Sequence, residues 1–179
     1  MHRKPLLNLL EGYNPENPAE KLYRAQIIEF IQAHPNCFLR SLSVGHITAS
    51  AWLVDRHNAH ALLMHHKKLD DWFQLGGHCD GHPDVLHVAI KEAQEESGIH
   101  KIVPVHEEIF DIDVHTIPAN PKEGAHIHYD VRFLLQVVSD EVVHKNAESK
   151  ELRWVGRDKA KLPTTHQSVI RMFNKWTSL

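Results

Sequence analysis

The sequence predicts an α/β (α+β) sandwich, a mixed β-sheet held between helices with an N-terminal helical extension. Three observations predict it. Several apolar segments have strand length and strand composition, a helix of clear 3.6-residue periodicity interrupts them near mid-chain, and amphipathic helical segments stand near both ends. At 179 residues, with 42% apolar and 24% charged residues, the chain has the size and composition of one globular domain with its own core.

Pro18 to Ala33 reads as an amphipathic helix. Leu22, Ala25 or Gln26, Ile28 or Glu29, and Phe30 to Ile31 form its apolar side, and Pro35 stops it. Residues 1–45 are therefore a helical extension packed on a domain of residues 46–179. It could cover a sheet edge, make a homodimer contact or shape a substrate pocket. Ile47 to Val54 is a strand, a turn follows at Asp55 to Asn58, and His60 to His66 is a second strand. Ile102 to Val105, Glu108 to Thr116, Ala125 to Val138 and Leu152 to Val155 are further strands. Pro163 to Lys175 closes the chain as a helix with Val169, Met172, Phe173 and Trp176 on its apolar side.

The central helix is the most strongly specified element. Pro83 suits a first helical position and Asp84 a first turn. Leu86, Ala89, Ile90 and Ala93 form an apolar stripe, and Gly98 is a left-handed stop. Glu92, Glu95 and Glu96, spaced i, i+3 and i+4, share a face about a third of a turn from that stripe. Like charges so spaced cost about a few tenths of a kcal/mol per pair in an isolated helix. A hard divalent cation, which seeks oxygen ligands, reverses that cost.

The stretch from Gly77 to Ile99 resembles the Nudix box, the signature of the Nudix hydrolases. Gly77 opens it, and Lys91-Glu92-Ala93-Gln94-Glu95-Glu96-Ser97-Gly98-Ile99 closes it at the family's distance, with the Glu-x-x-Glu-Glu-x-Gly core intact. In this chain Pro83 stands at the family's first Glu, with Asp84 beside it, Lys91 at its Arg and Ala93 at an aliphatic slot. Leu62 to Lys68, Trp72 to Gly77, His128 to Leu134 and Glu151 to Val155 resemble the flanking strands, so the likeness spans roughly residues 46–160. It implies the Nudix fold, with Glu92, Glu95 and Glu96 binding Mg2+ or Mn2+ and the Gly77 carbonyl as a further ligand. It also implies Glu92 or a loop acid as base, with Lys91 orienting the glutamates. The implied reaction is metal-dependent hydrolysis of a diphosphate linkage in a nucleoside triphosphate, ADP-ribose or similar nucleotide. Asp84 or Asp80 could replace the outer carboxylate. Val114 and His115 stand where some subfamilies carry a diagnostic Pro or Tyr, so substrate identity stays open.

The net charge of −3 argues against nucleic acid as a partner. No segment has the length of a membrane span. Cys37 and Cys79 give no disulfide framework, which points to a reducing, cytoplasmic setting. Seventeen histidines are scattered along the chain. His78, Asp80 and His82 in the box loop could reach phosphates or a second metal, or be polar loop residues. Trp52, Trp72 and Phe73 could stack on a base or fill the core.

Period-2 reading places Asp111, Asp113 and His115 on one strand face, and His126, His128 and Asp130 on one face of the next. If 115 stands opposite 126, then 113 faces 128 and 111 faces 130. The six groups form either an exposed face of mutually satisfied pairs or a second metal or substrate surface, and two or three at most could grip one ion. Two other function classes compete with hydrolysis. One is an isopentenyl-diphosphate-type isomerase on the same fold, which needs a histidine-bound metal and a catalytic cysteine. The other is a non-catalytic nucleotide-binding regulator, expected to show a degraded glutamate set.

Overall fold

Strand β1 (Gly45–Val54) is buried along its whole length and sits at the middle of one mixed sheet. A computed structural model describes residues 2–15, 17–121, 123–138 and 142–179. The other strands are β2 (His60–His66), β3 (Asp71–Phe73), β4 (Leu75–His78), β5 (Ile102–Pro104), β6 (Asp111–Ile117), β7 (His126–Val137) and β8 (Ser149–Gly156). β1 runs parallel to β7, and the remaining ladders are antiparallel: β1 with β2 and β4, β2 with β3 and β8, and β7 with β5 and β6. The helices are α1 (Lys4–Gly12), α2 (Pro18–Ala33), α3 (Val85–Ser97) and α4 (Gln167–Thr177). None of the described helices is long and apolar enough to cross a membrane.

Alternation along β1 separates two cores. Ile47, Ala49, Ala51 and Leu53 join a cluster with Leu6 and Leu10 of α1, Ile27 and Ile31 of α2, and Ala89 and Ala93 of α3. Trp52 and Val54, on the other face, join Val169, Met172, Phe173 and Trp176 of α4. Phe30 of α2 stacks on Tyr129 of β7 with ring centroids 4.0 Å apart.

Several expectations need correction. The face of α2 is rotated: Glu20, Ile27, Phe30 and Ile31 point inward and Leu22 is exposed. Glu20 takes the inner position because Lys175 and the Tyr13 hydroxyl bond to its carboxylate. Asp84 is the N-cap of α3, its carboxylate accepting the His87 N–H at 3.0 Å, so Pro83 lies outside the helix. α1 falls within the expected helical extension, and the stretch Trp72 to Gly77, expected as one flanking segment, forms two short strands, β3 and β4; β4, Leu75-Gly-Gly-His, has loop composition and becomes a strand only through its pairing with β1.

The β6–β7 hairpin keeps the expected common face but is shifted by two residues. Asp111 stands opposite Arg132, Asp113 opposite Asp130 and His115 opposite His128. The reason is ionic. Arg132, 1% exposed, donates from Nε to Asp130 at 2.7 Å and from a terminal nitrogen to Asp111 at 3.0 Å. Arg171 of α4 donates to Asp111 at 2.8 Å and to Asp113 at 3.0 Å. This part of the face is therefore buried rather than exposed. Burial alone raises the Asp111 and Asp113 carboxyls. The hydrogen bonds from Arg171 and His115 and the charges of Arg132 and Arg171 outweigh it and hold both below the ordinary carboxylate range.

Removing the central cation strands three buried carboxylates. Arg132→Met should cost about 3–5 kcal/mol in urea unfolding. Carboxylates held low contribute stability that is present above about pH 4 and lost as pH falls through their lowered values, so the wild type should weaken on acidification below that point.

Candidate active site

Strand β4 brings the box glycines against β1, pairing His78 with Thr48, Gly77 with Ala49 and Gly76 with Ser50. Gly76 has φ +155, and a side chain there would begin 2.7 Å from the Ser50 Cα. Only glycine lets the two backbones approach this closely. Helix α3 packs under them through Val85, Val88, Ala89 and Ala93, and Gly98 ends it in the left-handed region, φ 71.

The three glutamates occupy different surroundings. Glu96, 5% exposed, accepts the Gly76 N–H at 2.8 Å, and burial pushes its carboxyl up to about 8. Glu92 is half-buried and pressed on Gly77: a Cβ on that glycine would lie 2.3 Å from Glu92 Oε2. Burial raises the Glu92 carboxyl, against the opposing pull of Lys91. The Glu95 side chain is 58% exposed. Lys91 Nζ lies 3.2 Å from Glu92 and 3.1 Å from Glu95, bridging the two.

Two loop acids are already engaged. Asp80 forms a two-pronged pair with Arg40 at 2.5 Å, and Asp84 caps α3. Cys79 is buried and its thiol is driven far above the ordinary range, mainly by desolvation, surroundings that disfavour the thiolate. Trp52 is core, and Trp72 is covered by Arg153, 4.4 Å from its ring. Asp130 accepts from Thr48 at 2.9 Å, Ser50 at 2.8 Å and Arg132, so its lone pairs are committed to the protein. A surface cleft of about 920 Å3, lined by Tyr13, Glu20, Phe110, Arg171 and Lys175, holds none of these glutamates.

A second cluster was only partly anticipated. His128 and His126 of β7, His78 of β4 and His46 of β1 gather on one side of the sheet. His46 had no motif around it; the only available signal was its place two residues before Thr48 on a buried strand. It is 2% exposed, and both of its ring nitrogens are buried without a hydrogen-bond partner. An unsatisfied buried polar group of this kind costs about 1–3 kcal/mol. Burial and the neighbouring imidazoles lower His46 to about 4 and His128 to about 2. Burial likewise lowers His78. Among the described residues, the ligand atoms of His46, His78 and His128 lie within 4.8 Å of one another; the three glutamates form no such group.

The Gly76 geometry carries a stability prediction. Gly76→Ala should lose at least about 1–3 kcal/mol in thermal or urea unfolding, because the clash is with the β1 backbone and the φ is strained for any side chain.

A family model, the NUDIX domain, matches residues 45–176. No curated protein matches the chain. Among solved structures, the chain is similar to a C. elegans Ap4A hydrolase in a binary complex. The two share 17% identity over 74% of this chain and 95% of that one, with a TM-score of 0.59. It is similar to a MutT NUDIX hydrolase from Burkholderia pseudomallei at 21% identity, covering 73% and 97%, with a TM-score of 0.56. It is also similar to the E. coli dihydroneopterin triphosphate pyrophosphohydrolase at 12% identity, covering 74% and 94%, again with a TM-score of 0.56. At these identities the structures establish the shared fold, and the family model covers most of the chain. The chain thus belongs to the Nudix family.

Proposed function

We propose that Gly77, Glu92, Glu95 and Glu96 form a centre that uses Mg2+ or Mn2+ to hydrolyse a diphosphate linkage in a nucleoside diphosphate derivative, such as a nucleoside triphosphate or ADP-ribose. The observation that carries the reading is the packing of Glu96 and Glu92 against the box glycines. Carboxylates so placed are costly unless a cation balances them. The donor set is all oxygen, which suits a hard divalent ion, and Glu95 is its solvent-exposed member, paired with Lys91.

A bound divalent ion supplies charge neutralisation on the phosphoryl oxygens. Glu96, fixed by the Gly76 N–H, and the Gly77 carbonyl are the rigid members of the holding set, and Glu95 is the exposed one. Glu92 is the acid best placed to accept a proton from the attacking water, because Asp80 and Asp84 are engaged elsewhere. Its half-buried carboxyl, already raised, has the basicity that role wants. Lys91 contacts both Glu92 and Glu95 and offsets their mutual repulsion. The names of the compared hydrolases, for Ap4A and for dihydroneopterin triphosphate, support a nucleotide-class substrate.

The test is a metal-supplemented panel of nucleoside triphosphates, dinucleoside polyphosphates and ADP-ribose, with products read by mass. Glu95→Gln and Glu96→Gln should lower turnover by about a hundredfold or more while circular dichroism stays native. Near-normal activity in either variant overturns the assignment. EDTA should abolish turnover and added Mg2+ or Mn2+ restore it. Gly77→Ala should cost under about 1 kcal/mol, since only the flexible end of Glu92 must move, yet lower turnover by about a hundredfold through its displacement.

A further inference from the structure

We propose that His46, His78 and His128 form a binding site for a divalent transition metal of the Zn2+ class, separate from the glutamate centre. The strand register builds it. His46 and His128 are direct neighbours in the parallel β1–β7 ladder. His78 pairs with Thr48, two residues along β1 and so on the same face as His46.

The geometry suits an ion. Ring centroids are 4.9 Å apart for His46 and His78, 4.8 Å for His46 and His128, and 5.2 Å for His78 and His128. Three imidazoles coordinating one ion at about 2.0–2.1 Å with tetrahedral angles place their centroids about 5 Å apart. The rings cross at 51°, 54° and 89° rather than stacking, and one ligand nitrogen from each lies within 4.8 Å of the others. His46 is the independent sign of a ligand. Its two ring nitrogens are buried without a partner, and a coordinate bond is the interaction that would satisfy one of them.

His126 adds the outer support common to metal-binding histidines. Its Nδ1 lies 2.8 Å from the Gly124 carbonyl, which fixes a proton there and leaves Nε2 as an acceptor, 3.3 Å from His128 Nε2. Three imidazole nitrogen donors favour Zn2+, Co2+, Ni2+ or Cu2+ over Mg2+. Three protein ligands also leave a coordination position for solvent or an anion.

The site stands apart from the glutamates. A side chain on Gly77 would point at Glu92, while the adjacent His78 points to the opposite side of β4 and to the other histidines. An ion bound there pins the strand that carries the box glycines.

The experiment uses full-length protein purified without a histidine tag, stripped with a chelator and kept in excess Mg2+. It is titrated with Co2+, read by visible absorption, and with Zn2+, read by calorimetry. The wild type should bind one equivalent with the spectrum of tetrahedral nitrogen-ligated Co2+, displaced by Zn2+. His78→Gln and His128→Gln, both at half-buried positions and checked for native circular dichroism, should weaken binding by about a hundredfold or more. Glu95→Gln should bind as the wild type does. Absence of that spectrum in the wild type overturns the proposal, as does unchanged binding in both histidine variants or loss of binding in Glu95→Gln. Turnover plays no part in this readout, so the hydrolase reading and the histidine site fail independently.

Discussion

The parallel pairing of β1 with β7, running from Gly45 beside Ile127 to Val54 beside Gln136, is the constraint on which the rest of the structure depends. Both strands are covered on both faces, the usual condition for a parallel pair. β1 presents one face to α1, α2 and α3 and the other to α4. Because β4 is stitched to β1, the position of Gly76 and Gly77 over α3 follows from β1 as well. The glutamates are held by a strand that would have no structure of its own without this neighbour.

Along the α4 face of the sheet, chemistry changes in bands. Trp52 and Leu134 begin it as hydrocarbon, and Asp130, Arg132, Asp111 and Asp113 continue it as a buried ionic network. His46, His126, His128 and His78 end it as imidazole. Buried ion pairs of this kind are rarely a net gain over a hydrocarbon core of equal volume. Here they carry information. A hairpin slipped by two residues keeps every side chain on its face, so the alternation of polar and apolar residues tolerates the slip. Asp111 opposite Arg132 does not tolerate it, because the slip would separate the buried guanidinium from its carboxylates. The same register sets His128 opposite His115, while the separate β1–β7 register places His128 beside His46.

Much of the glutamate centre was legible in the chain itself. Helical spacing places Glu92, Glu95 and Glu96 on one face, and Gly98 marks the stop, because both depend only on the local 3.6-residue repeat. The division of labour among the three was not legible. Glu96 is buried and Glu95 exposed because β4 lies over one side of α3 and not the other. The helix start was misplaced by two residues for a related reason: Pro83 suits a first helical position, but the hydrogen bond from His87 makes Asp84 the cap and Val85 the first helical residue. The inward turn of Glu20 depends on Lys175, far along the chain, and no local pattern reports it.

By itself the sequence determined the order of the longer strands and of α2, α3 and α4, the face of α4, the acidic motif and the family resemblance, since each follows from short-range periodicity or a contiguous motif. Only the tertiary structure decided which polar groups are buried together. His46, His78 and His128 lie on three separate strands, and their meeting depends on which strands pair and in what register. Strand pairing is a long-range choice made by packing and ion pairing across the whole sheet, and the local sequence around each histidine carries no record of it.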